Sequence, residues 1–339
     1  MRKFILYGKE IYVLCPAHLK TGGPELLHQL VYVLNSYGIN AHIVYILDEN
    51  DPNTNIFIIE EYQKYITSFY TEKDIIDDTE NLIVIPETLF KYISKWEKIK
   101  QVMWWLSVDN FEKYNGFWGR YKYQGFLIAV YNLLRGRMQF PQKKVINVEY
   151  HLCQSYYAKK YLLNLGVNES KIEDLSDYIN DEFVNKQNIN KERIVIYNPK
   201  KGLQYTKKII KKMPDVKWIK IEGLKTDAVH TLMQKSMVYV DFGNHPGKDR
   251  MPREAALSGC CIITGMRGAA KYFEDVSIPS KYKINEKKVN TKNVVKLIYD
   301  SLNNYEIYSE DFEEYCNLIK NEKKEFYTAV KELFMQGHT

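Results

Sequence analysis

Gly247-Lys248-Asp249-Arg250-Met251-Pro252-Arg253-Glu254-Ala255-Ala256-Leu257-Ser258-Gly259-Cys260-Cys261-Ile262-Ile263-Thr264 reads as a loop, a helix from about Pro252, a glycine stop and a short apolar strand. Proline suits a first helical turn and glycine suits a helix end. The loop therefore meets a helix N-terminus, where unpaired N–H groups and the helix dipole favour a bound anion. Arg250 and Lys248 add positive charge at the same mouth, and Glu254, one turn in, is a carboxylate where a ribose diol would lie. Together these residues suggest a pocket for a nucleoside diphosphate.

Working outward, strands and helices alternate from end to end. Ile11 to Cys15 is a short apolar strand, Lys20 to Pro24 a polar turn, and Glu25 to Tyr37 a helix with Leu26, Leu27, Leu30, Val31 and Leu34 at helical spacing. Gly38 ends that helix and Ala41 to Leu47 is the next strand, so the opening is a β-α-β unit of a parallel sheet. Further strands are expected at Asn81–Pro86, Gln101–Val108, Lys144–Val148, Arg193–Tyr197, Val216–Ile221, Met237–Asp241 and Cys261–Thr264. Helices are expected at Ser155–Leu165, Leu203–Met213 and, amphipathic and terminal, Glu310–Gln336.

A chain of 339 residues favours two domains. The polar, asparagine-rich stretch Asn180–Glu192 falls between the two groups of strands and marks the boundary. The expected division is residues 1–180, residues 190–311, and a final helix over 312–339 that packs back toward the first domain.

The net charge of +6 is too modest to diagnose a nucleic-acid binder, but its distribution is uneven. Between Asn110 and Lys144 lie Lys113, Arg120, Lys122, Arg135, Arg137, Lys143 and Lys144 against Glu112 alone. Phe111, Tyr114, Phe117, Trp118, Tyr121, Tyr123, Phe126, Tyr131 and Phe140 interleave with them, a mixture that suits an anionic membrane surface. The alternative is a helix-rich insertion whose aromatics are core. The five cysteines are odd in number and lack metal-ligand spacing, which fits a reducing compartment. Lys9-Glu10 interrupts the first apolar run, so no signal peptide is expected, and the run Phe126–Tyr131 is too short to span a bilayer.

Several residues carry candidate chemistry. Gly22-Gly23 follows the first strand, at the carboxyl edge where open α/β sheets bind ligands. It is not a Gly-x-Gly-x-x-Gly fingerprint, and a tight turn without a ligand is the alternative. Lys200-Lys201-Gly202 follows the strand Arg193–Tyr197 and places lysine charge at the second domain's edge. Glu222-Gly223, after the next strand, offers a loop to pack against a nucleobase. In the first domain Glu87 and Asp109 each follow a strand, where either is placed as a general base, and His18 lies beside the glycine loop. Helix caps and a surface imidazole are the alternatives for these three. No spacing points to a metal, and there is no Gly-x-Ser-x-Gly nucleophile elbow.

These residues resemble a GT-B-fold glycosyltransferase, most of all the large retaining bacterial family of lipopolysaccharide and capsule synthesis, over nearly the whole chain. The opening strand, Gly22-Gly23 and helix match the family's start. Asn147-Val148 through Gln154-Ser155-Tyr156-Tyr157-Ala158-Lys159 to Leu165-Gly166-Val167 matches the close of its first domain. The family's phosphate-holding Lys-Gly falls on Lys201-Gly202. Its Pro-x-x-Glu-Ala-x-x-x-Gly region resembles Pro252-Arg253-Glu254-Ala255 with Gly259, one residue shorter, and assigns the ribose contact to Glu254. The glutamate that contacts the donor sugar has no counterpart: Pro246 stands eight residues before Glu254.

The resemblance implies two Rossmann-like α/β/α domains facing a central cleft, with a C-terminal helix. The donor-binding set would be Gly22, Gly23, Lys200, Lys201, Gly202, Glu222, Gly223, Arg250, Pro252, Arg253 and Glu254. The implied reaction moves a sugar from a nucleoside-diphosphate sugar to a saccharide or lipid-linked saccharide in bacterial surface polysaccharide synthesis, without a metal or other cofactor. Retention and inversion both stay open, inversion with Asp109 or Glu87 as base. The expected place is the cytoplasm, peripheral on the inner face of the membrane. A GT-B-like carbohydrate-binding partner without activity, or a sugar-nucleotide epimerase, are the rival classes.

Overall fold

The computed structural model describes residues 2–48, 51–115, 117–135, 142–184 and 189–335. It divides into two compact units, Met1–Asp177 with Lys324–Thr339, and Tyr178–Lys323.

The first unit is built on β1 (Ile11–Pro16), β2 (Ala41–Ile46), β3 (Tyr70–Thr71), β4 (Leu82–Pro86), β5 (Lys100–Trp105), β6 (Tyr150–Cys153) and β7 (Ile172–Asp174). They form one parallel sheet in the order β3-β2-β1-β4-β5-β6-β7. Its central strands are apolar along their whole length because helices cover both faces; all five residues of β4 are buried. Trp104 and Trp105 point to opposite faces of β5 as alternation requires. Both are fully buried, with Nε1 of Trp104 donating to the Leu175 carbonyl and Nε1 of Trp105 to His151 Nδ1.

The helices of this unit are α1 (Gly22–Ser36), α2 (Val108–Tyr114), α3 (Phe117–Gln124), α4 (Phe126–Leu134), α5 (Gln142–Asn147) and α6 (Tyr156–Leu165). Ser155 caps α6, its Oγ accepting the Ala158 amide at 3.2 Å, and Gly166 leaves the helix at φ 90°. Three local expectations need correction. Gly22 and Gly23 begin α1 rather than preceding it, because Pro24 at the third helical position tolerates the missing N–H. Lys144–Asn147 belongs to α5 and Val148 follows its end, so this run is not a strand; Val145 and Val148 are buried three residues apart, which is helical spacing. The strand is Tyr150–Cys153 instead. Lastly β5 stops at Trp105, and Ser107 Oγ accepts the Asn110 amide to open α2, so Asp109 sits in a first helical turn.

The second unit holds β8 (Glu192–Tyr197), β9 (Lys217–Lys220), β10 (Ser236–Asp241), β11 (Cys261–Gly265) and β12 (Lys283–Ile284), parallel in the order β12-β11-β10-β8-β9. Around them lie α7 (Asp181–Val184), α8 (Leu203–Ile210), α9 (Thr226–Lys235), α10 (Arg250–Leu257), α11 (Thr291–Asn303), α12 (Tyr305–Glu310) and α13 (Glu313–Phe334), whose last turns belong to the first unit. From β8 the chain moves outward to β9, then returns past β8 to β10. The direction of winding reverses between β8 and β10, which opens a crevice at their carboxyl ends. Cys260 and Cys261 are buried and free, as small hydrophobes.

Candidate functional site

Two loops meet at that reversal, one after β8 and one after β10, and glycines let them touch. Gly202 caps α8 at φ 59°, and a Cβ there would lie 2.6 Å from the carbonyl carbon and oxygen of Phe242. Gly243 faces the other way: its Cβ would fall 2.0 Å from that of Lys201. Neither position accepts a side chain without moving backbone. The interlock fixes Lys201 beside the residues that follow β10.

Lys201 is ion-paired with Asp249, the residue before α10. Asp249 is also 3.1 Å from His245 Nδ1, and His245 Nε2 is 3.8 Å from Asp241 Oδ1. Asp241 accepts the Tyr239 hydroxyl and the Gly243 amide, each at 3.0 Å. A chain of ionisable groups, buried at Asp241 and His245 and half-buried at Asp249 and Lys201, thus runs Asp241–His245–Asp249–Lys201. Burial pushes the Asp249 carboxyl up, but His245 and Lys201 outweigh it and hold it below its ordinary range. Asp241, His245 and Asp249 are the described trio whose ligand atoms lie within 4.8 Å of one another. The Lys201 ammonium already lies on Asp249, and a different ring nitrogen of His245 is turned toward each carboxylate.

The helix after this loop starts at Arg250, two residues earlier than expected from Pro252, with Asp249 as its extended N-cap residue. Asp249 makes no capping bond because its carboxylate is turned to Lys201 and His245. Arg250 is half-buried at the first helical position, and its Nη2 donates to the Tyr178 carbonyl at 3.4 Å. Glu254 follows one turn on, half-buried. Arg253 takes a different part from the one expected. Its guanidinium is completely buried, donating to Glu322 Oε2 at 2.7 Å, the Lys248 carbonyl at 2.9 Å and the Asp249 carbonyl at 3.2 Å. Lys248 is bound to the same Glu322, 2.9 Å from Oε1. Both side chains therefore brace the loop from behind. Lys200 is placed at the β8 edge, its amide donating to Asn198 Oδ1 at 3.0 Å. Glu222 pairs with Lys220 at 2.6 Å on the surface, and Gly223 follows at φ 68°.

In the first unit the three acid–base candidates all sit at the sheet's carboxyl edge, yet they differ in what they do. Glu87 is 1% exposed and its Oε2 accepts the Leu106 amide at 2.9 Å, which ties the end of β4 to the turn after β5. Burial pushes its carboxyl up to about 8, against the lowering pull of backbone N–H groups at Leu106, Glu87 and Ser107. A carboxyl raised in this way exchanges its proton near neutral pH, the range a general acid or base requires. His18, at φ 58°, uses both ring nitrogens, Nδ1 to Asp51 at 2.8 Å and Nε2 to the Asn55 carbonyl at 2.9 Å, and stacks on Phe57. Asp109 is buried and accepts the Tyr157 hydroxyl at 3.0 Å. Gly22 and Gly23 adopt no positive φ, and a Cβ at Gly23 would make only an ordinary contact with Leu106 at 3.7 Å.

The residues that sequence reasoning passed over are Asp241, Gly243, His245, Asp249 and Glu322. A glycine two residues after a strand-end aspartate was the signal available for Gly243. Nothing local pointed to Glu322, which is 69 residues from Arg253.

The aromatic-basic stretch is helical. On α4 the side chains of Phe126, Leu127, Ile128, Tyr131, Leu133 and Leu134 are exposed, Leu127 and Leu134 to 82%. Arg135 lies over the Tyr131 ring at 5.5 Å, and Lys143 and Lys144 are exposed on α5. Phe111 is core, as the alternative reading had it. Arg137 and Phe140 lie outside the described residues, as do the side chains of Tyr114, Trp118, Lys122 and Tyr123. Among the described residues no helix is long and apolar enough to cross a membrane.

No protein-family model matches the chain, and no curated protein matches its sequence. Solved structures do match its fold. HepE of Anabaena in complex with UDP-glucose is 11% identical, with 95% of this chain and 97% of that one covered at a TM-score of 0.59. Sucrose-phosphate synthase of Thermosynechococcus elongatus is 12% identical, with 96% and 95% covered at 0.61. The lipopolysaccharide outer core galactosyltransferase WaaB is 12% identical, with 95% and 99% covered at 0.58. Two parallel α/β units, each with its own reversal of strand order, and likeness along almost the whole length give one conclusion: the chain has the GT-B fold of these glycosyltransferases.

Proposed function

We propose that the protein is a glycosyltransferase that takes a sugar from a nucleoside-diphosphate sugar, with the donor held by the second unit. The observation that carries this is the interlock of Gly202 with Phe242 and of Gly243 with Lys201, which sets a lysine beside a helix N-terminus at the reversal of strand order. Lys201, Arg250 and the first N–H groups of α10 stabilise the leaving diphosphate, an electrostatic role that develops with the charge. Glu254 takes the ribose hydroxyls. UDP is the favoured nucleotide, because HepE carries UDP-glucose on the same fold. No metal is required in this scheme, since Lys201 and His245 already neutralise Asp249 and Asp241.

In the first unit Asp109, in the first turn of α2 at the sheet's carboxyl edge, is the group assigned to remove the acceptor's proton, with Glu87 as the alternative base. The acceptor is a saccharide or lipid-linked saccharide of bacterial surface polysaccharide synthesis. Exposed apolar side chains on α4, with Arg135 over the Tyr131 ring, and the exposed Lys143 and Lys144 on α5 fit an anionic membrane surface where such an acceptor resides.

Thermal unfolding with UDP, GDP, ADP, TDP and CMP tests the donor site. A ligand at a hundred times its dissociation constant adds about 2.7 kcal/mol, visible as a raised midpoint. Wild type should respond to UDP, and Lys201→Ala and Glu254→Ala should not. No response to any nucleotide would reject the donor site and favour a carbohydrate-binding protein without activity.

A further inference from the structure

His245 has no place in the scheme above beyond neutralising two carboxylates, yet it is fully enclosed. Its side chain is fully buried on the loop after β10, and its backbone is fastened on both sides. The His245 amide donates to the Arg267 carbonyl at 3.3 Å, and its carbonyl accepts the Ala269 amide at 2.8 Å. Gly268 permits this approach: a Cβ there would fall 1.9 Å from the His245 carbonyl oxygen. The imidazole is thus presented by a rigid frame to Asp249 on one nitrogen and Asp241 on the other. Neither nitrogen completes a hydrogen bond, so the carboxylates act on the ring through charge, and two anions within 4 Å of a buried imidazole favour its cationic form.

The charged groups around it come from every packed element. Asp241, backed by Tyr239, lies on β10, Asp249 precedes α10, and Lys201 follows β8. From the loop after β11, Arg267 pairs with Glu286 at 3.0 Å and donates to the Phe242 carbonyl at 2.7 Å. Two carboxylates in the chain face two cations, Lys201 and His245, and the sum is zero. Without the imidazolium, Asp249 would claim the whole charge of Lys201.

We propose that His245 is a positioning residue for the nucleotide diphosphate, an imidazolium that shares the neutralisation of Asp249 and so leaves the Lys201 ammonium available to phosphate. The proposal rests on the donor site described above. Burial alone would lower the pKa of this ring, but Asp241 and Asp249 outweigh burial and Lys201 together and raise it above its ordinary value. A group raised in this way is charged at low pH and loses its proton as pH rises through the shifted value. Diphosphate affinity should therefore be highest below that point and fall above it.

The test is UDP affinity by calorimetry from pH 7 to pH 9 for wild type, His245→Gln and Lys201→Ala, joined to the ring carbon and proton NMR shifts of His245 in wild type. The wild type should lose about tenfold in affinity across the range, in the span usual for coupling between two ligands. His245→Gln should bind weakly at pH 7 and show no further loss, and Lys201→Ala should abolish the dependence. By reciprocity, UDP should move the wild-type His245 titration upward. A neutral His245 ring at pH 7 overturns the proposal whether or not the variant folds. So does a His245→Gln protein with wild-type affinity and slope, or UDP binding that requires Mn2+ and vanishes with a chelator. If wild type holds an imidazolium yet binds no nucleotide, the donor site fails and the positioning role fails with it, while the charge chain stands.

Discussion

Replacing Glu87 by glutamine reads how far burial raises its carboxyl in the folded protein. The carboxyl is raised from an ordinary 4.5 to about 8 by burial, so folding takes up a proton at neutral pH. With the folded value above the unfolded one, the contribution to stability is complete below about pH 4.5 and is lost as pH rises through about 8. The whole shift corresponds to about 5 kcal/mol, of which about 3 kcal/mol is already lost at pH 7. Glutamine keeps an acceptor for the Leu106 amide and does not titrate. Urea unfolding at pH 5, 7 and 9 is the assay, followed by fluorescence of the buried Trp104 and Trp105 in the same unit. Wild type should fall steadily relative to Glu87→Gln between pH 5 and pH 9. Parallel stability curves would refute the reasoning, since they would mean Glu87 is as readily ionised in the folded protein as in the unfolded chain.

Gly243→Ala drives a methyl group into Lys201 and should cost about 1–3 kcal/mol, the usual range for overpacking, seen as a lowered melting midpoint together with loss of UDP response. Glu322→Gln removes the carboxylate charge that the buried Arg253 guanidinium and Lys248 both meet; a loss of about 3–5 kcal/mol in urea unfolding is expected. On α4, Leu127→Ser with Leu134→Ser should weaken sedimentation with anionic vesicles, since each leucine contributes about 1.5 kcal/mol or more on burial in lipid. Unchanged vesicle binding would remove the membrane from the proposal.

The alternation of apolar strands with helices was readable from local pattern, and so was the glycine that ends α10, now seen at φ 84° as Gly259. The turn Lys201-Gly202 was also marked, because a residue that must adopt positive φ is written as glycine in the chain itself. Local pattern misled at Lys144–Val148, where a short apolar run has no length to distinguish helix from strand. It said nothing of the charge chain at all. By itself the sequence determined an α/β protein with two parallel sheets and a basic loop before a helix. Only tertiary structure decided which of those charges look outward. Arg253 and Lys248 were drawn back onto Glu322, His245 was set between two aspartates, and Glu87 was enclosed, which raised its carboxyl toward neutral pH. The reason is that secondary structure follows from neighbours along the chain, whereas desolvation and ion pairing depend on partners that folding brings from far away in sequence.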